Sequence, residues 1–170
     1  MALEYRLRDL VRPPDLILRQ GGVRPGMAVL DFGCGPGSFS LAAAGLVGPE
    51  GHVYAVDIHP LAIRWMERAA NRLGLGHLQI IHADELPRVP DASVDIALLF
   101  DVLHEAREPG PTLAEIRRVL KQSGVLSVTD HHLEEASLLH TVTGDGLFRL
   151  IPGGKGTFRF EPAKGTGTEA

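Results

Sequence analysis

The chain has 170 residues, 44% hydrophobic and 22% charged, with 17 Lys and Arg against 21 Asp and Glu for a formal net charge of −4. That length suits one packed domain and excludes two ordinary ones, and the composition excludes a disordered chain. A net negative chain has no general electrostatic pull toward nucleic acid or anionic lipid, so neither is expected as a partner and either would need a local patch; one cysteine excludes an intramolecular disulfide or a multi-thiolate metal site.

Residues 1–26 read as an N-terminal helical cover with a short helix over 15–20. Their start, MALEYRLRDLVRPP, has no apolar stretch long enough for a signal peptide or a membrane span, so a cytoplasmic protein is expected. Apolar runs then alternate with helical spacing. MAVLDF (27–32) is a strand and residues 38–46 a helix; HVYAVD (52–57) is a second strand. PLAIRWMERAANRLG follows, starting at Pro60, stopping at Gly74 and placing Ile63, Met66, Ala70 and Leu73 on one face; its Trp65 is expected to cap packing. LQIIHA (78–83) and VDIALLF (94–100) are the third and fourth strands. PTLAEIRRVLKQSG predicts a helix from Pro111 with Leu113, Ile116 and Leu120 on one face, Lys121 in its last turn and Gly124 after its end, and GVLSVTD (124–130) is the fifth strand. LFRLI and TFRFE, separated by PGGKG, read as an antiparallel hairpin, and residues 162–170 as a flexible tail. Strands rich in Val, Ile and Leu alternating with helices predict a single α/β domain over 1–170, a doubly wound and mostly parallel sheet ending in that hairpin.

Between the first strand and its helix lies VLDFGCGPG. A strand, glycines and a helix start bring bare backbone close to a ligand. The dinucleotide fingerprint needs a third glycine at 38, where this chain has Ser38, and a P-loop needs a Gly-Lys pair, yet no lysine precedes Lys121. The segment resembles the first motif of the class I S-adenosylmethionine-dependent methyltransferases, an acidic residue two before G-x-G-x-G, carried here by Asp31, Gly33, Gly35 and Gly37. The resemblance spans roughly residues 25–131 and is closest to the small-molecule branch typified by ubiquinone and menaquinone biosynthesis enzymes. It implies a Rossmann-like fold, S-adenosylmethionine as cofactor and a small-molecule methyl acceptor. It also implies roles: Asp57, about twenty residues beyond Gly37, holds the ribose hydroxyls. Ile58 lies against adenine, Ala83 offers its amide and Asp84 its carboxylate to the adenine edge, and Phe100 ends the fourth strand beside the cofactor. Asp31 has two readings, one facing the cationic ligand and one organising the loop; Asp84 has a second as a surface turn carboxylate.

Ligands of such sheets bind beyond the carboxyl ends of the strands, where the strand order reverses between the first and fourth. Asp101, His104, Glu105, Asp130, His131 and His132 follow strands four and five and face the acceptor. His104 is the candidate base, with His131 as a second catalytic candidate, and a base is needed only if the nucleophile carries a proton. Without ligand spacing no metal site is expected. Cys34 reads as a small loop residue, since nothing beside it would activate a thiol. Only residues 1–26 and 131–146 could form a lid, which leaves an open site or one completed by a second subunit in a homodimer. A cofactor-binding module without turnover and a nicotinamide-dependent oxidoreductase are the alternative functions.

Overall fold

A computed structural model describes residues 13–152 and 157–163; expectations for residues 1–12 and 164–170, most of the cover and of the tail, lie outside the described residues. Seven strands, β1 (Ala28–Phe32), β2 (His52–Asp57), β3 (Leu78–His82), β4 (Val94–Phe100), β5 (Leu120–Thr129), β6 (Phe148–Ile151) and β7 (Phe158–Pro162), form one sheet in the order β3-β2-β1-β4-β5-β7-β6. The first five run parallel, and β7 lies antiparallel to both β5 and β6. The order reverses between β1 and β4, so a crevice opens beyond their carboxyl ends.

The apolar runs become strands covered on both faces. Along β4 the side chains alternate between two cores: Ala97 and Leu99 pack with Leu113 and Ile116 of α4 (Pro109–Val119), while Ile96 and Leu98 pack with Ala43, Ala44 and Val47 of α2 (Ser38–Val47). The second core is completed by Leu18 of α1 (Pro14–Gly21) and by Met66 and Ala70 of α3 (Pro60–Leu73). Burial on both faces explains why these strands are continuously apolar rather than alternating.

Several expectations are corrected. The fourth helix stops at Val119, not Gly124, because Leu120 turns extended (φ −70°, ψ 133°) and pairs with Val94 as the first residue of β5. Lys121 therefore sits in the strand, 2.7 Å from Asp95. The ladder slips between the Val94–Leu120 and Ile96–Val125 pairs, and a Cβ on Gly124 would stand 2.9 Å from both Leu120 Cδ2 and the Lys121 carbonyl oxygen. Gly124 thus serves a crowded bulge rather than a helix end. Leu73 and Trp65 are also misplaced by spacing alone: they are 60% and 61% exposed, and the fully buried stripe of α3 is Met66 and Ala70. The third strand ends at His82, and Ala83–Arg88 forms a 3-10 turn instead. Within residues 131–146, α5 (Glu135–Thr143) buries Leu138 and Val142 in the core. Pro162 closes β7 and the Ala163 amide donates to the Leu147 carbonyl at 2.9 Å, so these two residues of the expected tail are held.

Candidate functional site

The loop between β1 and α2 is anchored from below. The amides of Gly33 and Cys34 both donate to the Val56 carbonyl at the end of β2, at 2.8 and 3.0 Å. Gly33, Gly35 and Gly37 all have positive φ, at 77°, 51° and 90°, which L side chains rarely adopt. They are glycine for different reasons. A Cβ on Gly33 would lie 2.4 Å from Val102, and one on Gly37 would lie 1.7 Å from the Met66 sulfur, so these two admit close packing. A Cβ on Gly35 would meet nothing within 4 Å, because that glycine faces an open cleft lined also by Asp31, Phe39 and Phe100.

Two carboxylates flank that opening. Asp31, 3% exposed, accepts a 2.5 Å hydrogen bond from the Ser40 hydroxyl. Burial pushes its carboxyl up to about 6, against the lowering effect of Ser40 and with a further push from the charge of Asp57. Asp57 accepts from the Gly35 amide at 2.8 Å through one oxygen and from the His59 amide at 2.7 Å through the other, which ties the loop to the start of α3. His59 in turn caps that helix by accepting from the Leu61 amide at 3.2 Å. Cys34 also lines the cleft, but burial and the neighbouring Asp31 and Asp57 push its thiol up and leave it inert.

The rim continues onto β3. Ile58 is 70% exposed, and its carbonyl accepts from Nε2 of His82, whose Nδ1 accepts from the Asp84 amide at 3.3 Å. That pair of bonds assigns the ring tautomer and holds Ile58 beside Ala83 and Asp84. The Asp84 side chain is 90% exposed. His82 was absent from the sequence-derived set because nothing in LQIIHA distinguishes a bridging histidine from a strand-end one. On the other wall Phe100 meets Phe39 edge to face, with ring centroids 4.8 Å apart, and both line the cleft with Asp101.

Beyond β4 and β5 two His–Asp pairs cross between the strands. Asp101 has φ 54°, and its carboxylate accepts from the His131 amide at 2.9 Å and lies 2.8 Å from His131 Nδ1. Asp130 points the other way. Its fully buried carboxylate accepts from the amides of His104 and His132, each at 3.0 Å, and stands 3.0 Å from His104 Nδ1. Burial alone would raise the Asp130 carboxyl; the His104 ring and the two amides together outweigh it and lower the carboxyl below its ordinary value. With Nδ1–H donating to Asp130, His104 keeps a lone pair on Nε2, and its ring packs on His132 at 4.2 Å. The adjacent His131 and His132 diverge, one to each pair. Among the described residues no three His, Cys, Asp or Glu side chains converge as a metal site would require. The partnership of Asp130 with His104 follows from its position at the end of the strand that neighbours His104.

A family model described as a methyltransferase domain matches residues 24–147. The chain is 33% identical over 138 residues to the ubiquinone/menaquinone biosynthesis C-methyltransferase of Marinomonas sp. (strain MWYL1), covering 79% of this chain and 55% of that one. It is 32% identical over 111 residues to the demethylmenaquinone methyltransferase of Geobacillus kaustophilus, covering 64% and 47%. The chain thus spans about half the length of the curated relatives it matches. Among solved structures, a SAM-dependent methyltransferase from Aquifex aeolicus superposes with a TM-score of 0.76 at 26% identity, covering 88% of both chains.

Proposed function

The chain belongs to the S-adenosylmethionine-dependent methyltransferase family, and from that premise we propose that it holds the cofactor in the cleft beyond β1, β2 and β4 and methylates a small molecule. The observation that carries the reading is Gly35. It alone of the three loop glycines opens onto free space, and it does so between the carboxylates of Asp31 and Asp57.

The residues present fit the group. An ionised carboxylate has about four lone-pair sites, of which Asp57 uses two for the Gly35 and His59 amides, leaving two for the vicinal ribose hydroxyls. Ile58, exposed and held by His82, offers an apolar flank for adenine, while the Ala83 amide and the Asp84 carboxylate offer a donor and an acceptor for the ring edge. Gly33 and Gly37 keep the loop low, Phe100 forms the apolar wall, and Asp31 supplies negative charge toward the cationic end of the ligand. When bound, the cofactor supplies an electrophilic methyl group on a sulfonium.

The chain's own contribution to transfer is placement, together with proton removal where the nucleophile carries a proton. His104 is the base in this reading: Asp130 holds its Nδ1–H, Nε2 is the acceptor, and the imidazolium formed would face a buried anion. His131, held by Asp101 at the cleft wall, is the second group within reach of the acceptor. The relatives' names support a small quinol-type acceptor. Isothermal calorimetry tests the reading directly: adenosylhomocysteine should bind and raise the melting temperature, and NAD should do neither. Absence of binding by adenosylhomocysteine would sink it.

A further inference from the structure

The outward face of α3 is left over when the cofactor cleft has been described. Leu61, Arg64, Trp65, Arg68 and Arg72 recur at i, i+3, i+4, i+7 and i+11 and therefore share one side of the helix, opposite the buried Met66 and Ala70. All five are exposed, Leu61 at 59% and Trp65 at 61%. Ile58, just before the helix, extends the apolar strip to the rim of the cleft. No acidic residue occupies that stripe; Glu67 lies on its flank. Among the described residues no carboxylate pairs with Arg64, Arg68 or Arg72; Arg19, Arg24, Arg107, Arg117 and Arg159 also have no carboxylate partner, but only the three of α3 share one helix face beside Trp65.

A chain of net charge −4 thus carries, among its described residues, three arginines without a carboxylate partner around an exposed tryptophan and an exposed leucine. Water is a poor environment for that apolar strip, and a neutral apolar partner would leave the arginines uncompensated. An interface with anionic headgroups above acyl chains answers both: the guanidinium groups meet phosphates, Trp65 sits at headgroup level, and Leu61 reaches the acyl boundary. We propose that this face of α3 docks the protein onto anionic lipid bilayers. Single-stranded RNA also takes arginine and an aromatic ring, but it offers nothing to Leu61. Because Asp57 bonds the His59 amide and His59 caps α3, docking brings the rim of the cleft to the bilayer surface. The inference rests on the helix face and holds whether or not the cleft transfers methyl groups.

Trp65 is the sole tryptophan, so its fluorescence reports the face without a label. Full-length protein is mixed with vesicles of phosphatidylcholine alone or of phosphatidylcholine and phosphatidylglycerol in equal parts, and cosedimentation is measured alongside the emission. The expected result is a blue shift and sedimentation with the mixed vesicles only, reversed by high salt. An Arg64→Glu, Arg68→Glu double variant, whose folding is checked by circular dichroism, should bind at least about tenfold more weakly, and Leu61→Ser should reduce the blue shift. Binding that survives the charge reversal, or a Trp65 spectrum unchanged by anionic vesicles, would overturn the proposal. So would tighter capture of Trp65 by an oligoribonucleotide than by vesicles, which would identify the face as a nucleic-acid surface.

Discussion

Asp31 and Asp130 are both buried carboxylates at the ends of parallel strands, yet their acidities move in opposite directions. At the β1–β2 end, Asp31 has the hydroxyl and the backbone amide of Ser40 as donors and a like charge nearby, and burial prevails. At the β4–β5 end, Asp130 gathers an imidazole and two amides, and those partners prevail over burial. Burial alone therefore does not decide the charge state; its balance against the donors supplied by the surrounding elements does. The two ends also differ in what builds them. The first is made of backbone and empty space, with glycines clearing room, and the second is made of side chains that hold one another.

The comparison is tested most severely at the side-chain end. His104→Ala should leave affinity for adenosylhomocysteine nearly unchanged and lower methyl transfer to a proton-bearing acceptor by about 10² to 10⁴, with Asp130→Asn showing much of the same loss. Turnover with a proton-bearing acceptor that survives both changes would leave this end a purely structural clasp. Next in size is the difference between two glycines of one loop. Gly37→Ala drives a Cβ into the Met66 sulfur at a positive φ and should cost about 2–5 kcal/mol of folding stability by urea titration. Gly35→Val should keep the fold closer to wild type but abolish cofactor binding in equilibrium dialysis, since its side chain would fill the cleft. If both variants lost only stability, or both lost only binding, the division of labour among the glycines would be wrong.

Asp57→Ala should weaken adenosylhomocysteine binding by about 1.5–3 kcal/mol, the scale for hydrogen bonds to a charged group, read by calorimetry. The last effect concerns Asp31. Its carboxyl is about 6 in the folded protein against an ordinary 3.8, so the folded chain holds a proton that the unfolded chain has released. This group's contribution to stability is full below pH 3.8 and is lost as pH rises toward 6, reaching a cost of about 3 kcal/mol at neutral pH. Asp31→Asn, which keeps an acceptor for Ser40, should raise the melting temperature of the cofactor-free protein at neutral pH and weaken cofactor binding. In the wild type, cofactor affinity should fall as pH drops through about 6, where Asp31 takes up its proton. A neutral-pH melting temperature that Asp31→Asn leaves unchanged would mean that Asp31 carries no such strain.

Much of the architecture was legible without coordinates, for reasons visible in single elements. Buried parallel strands must be apolar on both faces, so VDIALLF announces β4 by composition, and Pro60 with Gly74 brackets α3 because one lacks an amide donor and the other tolerates positive φ. The glycine loop was legible because spacing is a local property that excludes competing motifs. The fourth helix was read too long because KQSG suits a helix as well as a bulge, and only the pairing of Leu120 with Val94 chooses between them. Leu73 and Trp65 show the same limit, since helical spacing indicates a face but not how much of it the sheet covers.

Within the proposed site, Asp31, Gly33, Gly35, Gly37 and Asp57 all lie at strand ends or in one turn, where local sequence pattern has most to say. What it could not contain is any relation between residues far apart in the chain. That Met66 stands under Gly37, that Val102 stands under Gly33, that Asp130 clasps His104 and that His82 reaches Ile58 are consequences of strand order and register. So is the sign of each carboxylate's shift. Composition and periodicity specify which segments become strands and helices because those depend on neighbours along the chain. Side-chain partners, and with them the acidity and room of the site, depend on neighbours across the sheet, and only the tertiary structure supplies those.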